Sequence, residues 1–331
     1  MRKLQTLFGF ILCLVLMLTV FAGAEATKQS VVGFYLDTVI TLTAYVESDE
    51  VLNDALQECG RYEQRLSRTI EGSDIWNLNH ADGHPVTVSD DTIVLLTEAK
   101  RISELSGGAF DVSIAPASTL WDFTSGAAVL PDAAALEDAA SRVDYRRIAI
   151  EGNEVTLPAG MMIDLGGIAK GYIADKVKDY LAERGVERGI FSFGGNVVAL
   201  GVKPDGSPWK VGIQDIDAPT GNYMMVSVNF GGSTVTSGIY ERGFDLNGVR
   251  YHHILDTATG WPVQNELASV TIFSESSMTG DALATAAFAL GSEKGMELIE
   301  SQENTEAVFI SRDRSYAMSS GAGDYIINQG Q

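Results

Sequence analysis

The chain has 331 residues, of which 45% are hydrophobic and 20% are charged, with 34 glycines and 8 prolines. This composition excludes a disordered chain, and the length predicts one large domain or two closely joined lobes. The formal net charge of −21 argues against binding nucleic acid or anionic lipid through a general electrostatic field. An anionic ligand would need a local site, which we expect to include a divalent cation.

Residues 1–26 are predicted to be a targeting segment. Two basic residues precede an apolar run from Leu7 to Ala24, and small residues at 22–26 provide two A-x-A cleavage sites. Cys13 lies in the middle of the run and does not follow a small residue, so we do not expect lipidation there. The run is also long enough to remain as an uncleaved anchor, which is the alternative. In both cases residues 27–331 are expected to be an exported domain that contacts the membrane only through this segment.

The first half of the exported part is predicted to contain strands, helices and loops in turn. β-Branched residues predict a strand over 31–46, and apolar residues at helical spacing predict a helix over about 50–66 with Cys59 in the core. Because Cys59 is the one cysteine left after the targeting segment, no internal disulfide is expected. The next predicted elements are a loop over 67–89 ending in the helix cap Ser89-Asp90, a helix over 91–106, an alanine-rich helix after Pro131, and a hairpin over 147–158.

The second half is predicted to begin with a short strand over 160–163 that leads into a glycine turn and an amphipathic helix. A strand over 189–193 follows, and short strands continue to about residue 275, with a hairpin turn at Asn247-Gly248. Two helices, over about 278–290 and 293–301, and a final pair of strands complete the chain. This order predicts a mixed α+β fold without regular βαβ alternation.

The glycine turn covers 164–171 and joins the predicted strand to the helix. Free N–H groups and the positive dipole end of a helix suit a phosphate, and glycines allow the backbone to approach a ligand closely. Lys170 adds a positive charge. The turn has neither the G-x-G-x-x-G spacing of dinucleotide folds nor the Ser or Thr of a Walker loop after Lys170. An ordinary strand-to-helix connection is therefore the alternative.

Asp281 and Thr285 are four residues apart near the start of a predicted helix, so both side chains fall on one helical face. A carboxylate and a hydroxyl are hard oxygen ligands that suit Mg²⁺ better than zinc. The alternative, which the spacing alone favours, is a helix cap at Asp281 and a core threonine at Thr285.

The sequence contains four histidines that could be metal ligands or catalytic groups. Strand alternation sends His252 and His253 to opposite faces, so at most one of them faces a given site. His80 and His84 fall in a polar loop and are expected at the surface. The hydroxyl-rich stretch 233–237 lacks a G-x-S-x-G elbow, so it predicts a threonine-rich strand ending at Gly238 rather than a serine hydrolase.

Taken together, the motifs from about residue 31 to 325 resemble the ApbE family of flavin transferases. The family motifs in chain order are Gly108-Ala109-Phe110-Asp111, Pro116 with Leu120-Trp121, Asp164 to Tyr172, Gly194-Gly195-Asn196, Thr236-Ser237-Gly238, His253 to Asp256 with Thr259 to Pro262, and Asp281 to Thr285. The resemblance implies an ApbE-like, T-fold-related α+β domain of mixed sheets packed with helices, spanning residues 27–331 as one domain with two joined lobes.

The resemblance also implies an activity and a set of site residues. The enzyme would transfer the FMN part of FAD to a Ser or Thr hydroxyl of an exported or membrane flavoprotein and release AMP. It implies Mg²⁺ held by Asp281, Thr285 and the carbonyl of Gly167, and it implies that His253 lies near the reacting pyrophosphate. His253 is the best-placed group to accept the hydroxyl proton at neutral pH, and a nearby carboxylate is the alternative. The residues implied to contact FAD are Leu36, Thr69, Ala109, Phe110, Asp111, Asp164, Lys170 and Ile254.

Acceptors implied by the resemblance are flavin-carrying subunits of membrane redox pumps of the Rnf and sodium-pumping quinone reductase type. A location at the extracytoplasmic face of a bacterial membrane follows. The alternatives are a Mg²⁺-dependent FAD pyrophosphatase and a non-catalytic exported flavin-binding protein. The sequence departs from the family pattern at two places. Many relatives carry Met-Gly-Thr in place of Leu36-Asp37-Thr38, and many carry tyrosine or asparagine at the position of Thr69.

Overall fold

The computed structural model describes residues 26–218 and 221–329. Apart from residue 26, the predicted targeting segment lies outside the described residues. Within the described ranges, no helix is both long and apolar enough to cross a membrane.

The strands, numbered in chain order, are β1 (Thr27–Tyr35), β2 (Thr38–Val46), β3 (Val86–Thr87), β4 (Ala149–Glu151), β5 (Glu154–Thr156), β6 (Gly189–Phe193), β7 (Asn196–Leu200), β8 (Trp209–Gln214), β9 (Tyr223–Asn229), β10 (Ser233–Gly238), β11 (Gly243–Leu246), β12 (Val249–His252), β13 (Leu267–Ser274), β14 (Glu306–Ser311), β15 (Tyr316–Met318) and β16 (Ile326–Gln329). The α-helices are α1 (Glu50–Leu66), α2 (Asp74–Asn79), α3 (Asp90–Leu105), α4 (Ala115–Ser118), α5 (Ala133–Ala140), α6 (Ala169–Glu183) and α7 (Ser277–Glu300).

One large antiparallel sheet organises the fold, in the order β1-β2-β6-β7-β10-β13-β14-β15. Helices α1, α6 and α7 pack on one face of this sheet and bury the main core. On the other face, the small sheet β16-β9-β8 covers β13 and β14, where Ile213 and Met225 pack against Phe273, Val308 and Ile310. The predicted mixed α+β class is confirmed.

The segment predicted as a single strand over 31–46 is a hairpin of β1 and β2. Its turn consists of Leu36 and Asp37, which have left-handed φ values of 57° and 55°. The turn was not predicted because β-branched and aromatic residues lie on both sides of it and neither turn residue is the Gly or Asn that usually marks such a geometry.

The short strand predicted over 160–163 is not formed, and this prediction was wrong. Only an isolated bridge joins Met162 to Ile114. The side chain of Asn79, at the end of α2, satisfies the backbone of Ile163 instead: Oδ1 accepts from its N–H at 2.6 Å, and Nδ2 donates to its carbonyl at 2.9 Å. Helix α2 itself lies in the stretch 67–89 predicted as a loop, and Ser73 caps its N-terminus.

The segment α7 consists of the two helices predicted at the C-terminal end, which meet at a kink at Gly291. This residue has φ 80° and ψ 176°, a conformation that only glycine adopts readily. The Ser292 N–H, freed by the break, donates to Glu266 Oε1 at 2.9 Å. The predicted interruption between the two helices is therefore confirmed.

Candidate active site

A cavity of about 580 Å³ lies where the N-terminal ends of α6 and α7 meet the β1–β2 turn and the end of β10. All the site residues predicted from the sequence line this cavity: Leu36, Thr69, Ala109, Phe110, Asp111, Asp164, Gly167, Lys170, His253, Ile254, Asp281 and Thr285. The structure brings them together from distant parts of the chain. Their individual roles stay predictions.

Helices α6 and α7 cross closely beside the cavity because Gly171 has no side chain. A Cβ at Gly171 would overlap the carbonyl oxygen of Ser277 and lie 2.8 Å from Asp281 Cβ. Asp175, one turn further along α6, accepts hydrogen bonds from the N–H groups of Ser277 and Met278, each at 3.0 Å. A carboxylate at a helix N-terminus is favourable, so Asp175 fixes the start of α7 against α6.

Asp281 is buried at this crossing, with 2% of its surface exposed. Its Oδ2 accepts a hydrogen bond from the Gly171 N–H at 2.9 Å, and its Oδ1 lies 3.4 Å from Lys170 Nζ. Lys170 Nζ also donates to the carbonyl of Gly166 at 3.1 Å. Lys170 thus links the glycine turn to α7, and Asp281 does not cap its own helix, because Ser276 is the cap residue.

Thr285 lies one turn beyond Asp281 and faces the glycine turn. Its hydroxyl is 3.3 Å from the Asp281 carbonyl and 3.4 Å from Ser237 Oγ at the end of β10. A Cβ at Gly167 would lie 3.5 Å from Thr285 Oγ1 and 3.1 Å from the Phe110 ring. The absence of a side chain at Gly167 therefore keeps its backbone near the hydroxyl.

This corner of the cavity offers a carboxylate, a hydroxyl and backbone carbonyls, which are hard oxygen ligands and fit Mg²⁺. In the described part of the chain, no three His, Cys, Asp or Glu side chains converge as a metal cluster. The ligand set predicted for Mg²⁺ contains one carboxylate, that of Asp281. Its suitability for Mg²⁺ therefore depends on the hydroxyl and carbonyl oxygens around Asp281 as well.

The two adjacent histidines point in opposite directions, as strand alternation predicts. His252 is fully buried, with Nε2 3.0 Å from the Val263 carbonyl, whereas His253 is exposed to the cavity. His253 Nδ1 lies 3.3 Å from the Arg242 carbonyl, which can only accept, so Nδ1 carries the proton and Nε2 is free to accept one.

The electrostatic surroundings keep His253 neutral. Desolvation by the cavity walls is the largest cause that lowers its pKa below 6.5, and the charges of Lys170 and Arg242 lower it further. Because the ring still faces open space, a bound ligand could reach Nε2 directly.

Two aspartates predicted to contact FAD also hold protein segments in place. Asp111 Oδ1 accepts from the Ser113 N–H and hydroxyl, and Oδ2 accepts from the Tyr145 N–H at 2.8 Å. Burial raises the pKa of Asp111 despite these bonds. Asp164 accepts from the Gly166 N–H at 2.8 Å and lies 3.2 Å from Arg68 Nε.

The turn between β1 and β2 forms the opposite wall. The Leu36 N–H donates to Glu63 Oε1 at 2.7 Å, and Arg242 Nη2 donates to the Asp37 carbonyl at 3.2 Å. These two bonds hold the left-handed turn residues against the cavity.

Some charged side chains that line the cavity were not predicted from the sequence, notably Arg68, Glu241 and Arg242. Glu241 has no hydrogen bond or ion pair to a described side chain, and burial raises the pKa of its carboxyl group. A Cβ at Gly195 would lie 3.2 Å from Glu241 Oε1, so this glycine leaves room for the carboxylate. The position of Glu241 just after the Thr236-Ser237-Gly238 motif was the available signal.

Comparisons with known proteins agree with this fold. The sequence model of the ApbE family matches residues 36–309. The FAD:protein FMN transferase of Klebsiella pneumoniae (strain 342) is 37% identical over 289 residues, covering 85% of this chain and 88% of that protein. The FAD:protein FMN transferase of Treponema pallidum (strain Nichols) is 38% identical over 283 residues, covering 80% of this chain and 78% of that protein.

Solved structures of ApbE proteins have the same fold. The crystal structure of the ApbE protein from Thermotoga maritima superposes with a TM-score of 0.84 at 27% identity, covering 91% of this chain and all of that chain. The flavin transferase ApbE from Vibrio cholerae superposes with a TM-score of 0.81 at 27% identity, covering 91% of this chain and 99% of that chain. The resemblance, the fold and the transferase class predicted from the motifs are confirmed, and the chain belongs to the ApbE family.

Proposed function

We propose that this chain transfers the FMN part of FAD to a Ser or Thr hydroxyl of an exported or membrane flavoprotein, with release of AMP. The observation that carries the proposal is the convergence in one cavity of the Asp281–Thr285 pair, the glycine turn and a neutral histidine. The names of the relatives in Klebsiella pneumoniae and Treponema pallidum support the same activity.

Asp281, Thr285 and the Gly167 carbonyl would hold Mg²⁺. When bound, Mg²⁺ supplies positive charge that offsets the negative pyrophosphate and the departing AMP, which the net charge of −21 otherwise opposes. Lys170 and the start of α6 add positive potential next to these residues.

His253 accepts the proton of the acceptor hydroxyl. Because its Nδ1 proton is directed at the Arg242 carbonyl, Nε2 presents a lone pair. The hydroxyl oxygen forms a bond to the FMN phosphorus, and the bond from that phosphorus to the bridging oxygen breaks. AMP leaves with the electron pair, and the hydroxyl proton moves to His253 Nε2.

The partners follow from this activity. We propose that the acceptors are flavin-carrying subunits of Rnf-type or sodium-pumping quinone reductase-type complexes, and that the chain works at the extracytoplasmic face of a bacterial membrane. The apolar run from Leu7 to Ala24 supports export, and it is the proposed route of any membrane association.

The test is incubation of residues 26–331 with FAD, Mg²⁺ and a purified acceptor subunit of the Rnf type. We expect a fluorescent acceptor band in a denaturing gel and, by mass spectrometry, one added FMN on a Ser or Thr residue. Release of AMP and free FMN with no labelled acceptor would instead indicate a pyrophosphatase. No AMP release under any condition would indicate a flavin-binding protein without catalysis.

A further inference from the structure

The β1–β2 hairpin has an exposed apolar surface next to the cavity, which we call the hairpin face. It consists of Val32, Phe34 and Val39, whose exposed fractions are 65%, 68% and 55%. Phe34 and Val39 are paired across the two strands, so the three side chains lie on one side of the sheet.

The packing of the fold leaves this surface uncovered. On the opposite side of the hairpin, Val31, Ile40 and Leu42 are buried in the core beneath α1. On the same side of the main sheet, the small sheet β16-β9-β8 covers the distant strands β13 and β14, and its Trp209 reaches Tyr45 at the far end of β2, away from the β1–β2 turn. The described chain therefore leaves the hairpin face uncovered near the turn.

The edge of the sheet is open at the same place. In the described ranges, β1 pairs with β2 alone, so one side of this nine-residue strand is unpaired. Long edge strands with outward apolar side chains promote aggregation, and proteins normally shorten, charge or cover them. Residues 27–46 contain one lysine and one aspartate, so this hairpin is neutral within a chain of net charge −21.

The hairpin face continues directly into the cavity. Leu36 and Asp37, which join the two strands, and Thr38 at the start of β2 line the cavity wall. Phe34 and Val39 are one or two residues away from them. A partner lying along β1 would thus reach the reaction site at the end of the strand.

We propose that the hairpin face and the free edge of β1 bind an extended, largely uncharged segment of the acceptor flavoprotein, which adds to the sheet as a further strand. The inference rests on the proposed function, because a protein substrate must bring its hydroxyl to the cavity. Strand addition supplies backbone hydrogen bonds, and apolar side chains of the segment cover Val32 and Phe34. The acceptor is the partner that must touch the cavity rim, and a neutral hairpin spares it the repulsion of the acidic surface.

The test compares acceptor labelling by the wild-type chain and by the variant V32T/F34T/V39T. Threonine keeps strand propensity and removes apolar surface, so we expect an unchanged melting temperature. We expect kcat/KM for the Rnf-type acceptor subunit to fall about tenfold or more, with an unchanged Kd for FAD. The matched control is Phe230→Thr, because Phe230 is 62% exposed and precedes β10 at the end away from the cavity.

A second measurement follows the backbone itself. Acceptor binding should slow hydrogen exchange at N–H groups of β1 that do not pair with β2, and the triple variant should reduce this protection. If the wild-type chain labels the acceptor and the triple variant labels it equally well, the docking proposal is wrong while the proposed function stands. If the wild-type chain labels no acceptor, both fail. If the triple variant keeps its kcat/KM but loses binding to phospholipid vesicles, the hairpin face binds a membrane. If it keeps its kcat/KM but changes oligomeric state, the face binds a second copy. Either result overturns the proposal.

Discussion

The Gly171 N–H donates to Asp281 Oδ2 at 2.9 Å, so the first turn of α6 holds the carboxylate of α7 by its backbone. This bond uses one of the free N–H groups that the sequence suggested for a phosphate. The remaining oxygen, Oδ1, lies 3.4 Å from Lys170 Nζ at the edge of the cavity. The glycine turn therefore positions a metal-ligand candidate as well as offering backbone groups to a ligand.

Gly171→Ala should destabilise the fold, because the new Cβ would overlap the Ser277 carbonyl and lie 2.8 Å from Asp281 Cβ. We expect a loss of about 1–3 kcal/mol in the free energy of unfolding, as for overpacked core sites. Urea denaturation measures this loss. The control is Gly323→Ala, since a Cβ there meets nothing within 4 Å. Equal stability of the Gly171 and Gly323 variants would contradict the close helix crossing.

Asp281→Asn and Thr285→Val should abolish Mg²⁺-dependent AMP release. Asparagine keeps an oxygen for the Gly171 N–H and removes the charge that suits Mg²⁺, so the fold should survive. Calorimetric titration with Mg²⁺ in the absence of turnover gives an independent readout. Wild-type Mg²⁺ affinity in Asp281→Asn would remove this residue from the metal site.

His253→Ala should lower the transfer rate by about 10²–10⁴-fold, the range for loss of a general base, with little change in FAD affinity. Because the pKa of His253 lies below 6.5, the free-base form persists at mildly acidic pH. The rate attributable to His253 should therefore not fall as pH drops through 6.5. Single-turnover labelling across pH 5–8 checks both expectations.

Glu241→Gln tests whether a carboxylate takes the proton instead. Glu241 lines the same cavity, and burial, the largest influence, raises the pKa of its carboxyl group. If His253 is the base, the glutamine variant should retain most of the transfer rate. If Glu241→Gln lowers the transfer rate strongly and His253→Ala lowers it only slightly, then Glu241 is the base.

The helices and most strands could be predicted because local patterns determine them. The 50–66 helix has the predicted bounds, and the Asn247-Gly248 turn joins β11 to β12 as expected. The strand prediction for 160–163 failed because the backbone N–H and carbonyl of Ile163 bond to the side chain of Asn79, 84 residues away in sequence, and no local pattern reports such a bond. Tertiary contacts overrode strand propensity there.

The site residues were found through motifs of the family, and only the fold explains why they meet. Spacing alone favoured a cap at Asp281, whereas the structure gives the cap to Ser276 and directs Asp281 at α6. Arg68 carries no distinguishing spacing, and Glu241 is marked only by its place just after the Thr236-Ser237-Gly238 motif. Their presence in the cavity depends on how α1 and β10 end beside it.

Asp37→Gly should leave the fold equally stable or stabilise it by about 1 kcal/mol, because Asp37 has a φ of 55°, which costs a non-glycine residue energy. Thermal unfolding of the variant tests this. The matched control is Asp54→Gly on the exposed side of α1, which should lose about 1 kcal/mol because glycine is unfavourable within helices. Destabilisation of both variants to the same extent would show that the turn is unstrained.

The stability of the protein should fall on acidification because of His252. This side chain is fully buried, its Nδ1 has no hydrogen-bond partner among the described atoms, and desolvation lowers its pKa to about 4. In the unfolded chain the same group titrates near 6.5, so below that pH the unfolded state binds more protons.

The contribution of His252 is therefore fully present above pH 6.5 and is lost progressively as the pH falls towards 4. The loss amounts to about 3 kcal/mol at the acidic end of this window. Comparing the pH dependence of urea denaturation for the wild-type chain and His252→Gln isolates the effect, because glutamine cannot titrate. The exposed His84, replaced as His84→Gln, is the control and should keep the wild-type slope. If His252→Gln retains the wild-type slope between pH 6.5 and 4, then His252 is not the buried group that destabilises the protein in acid.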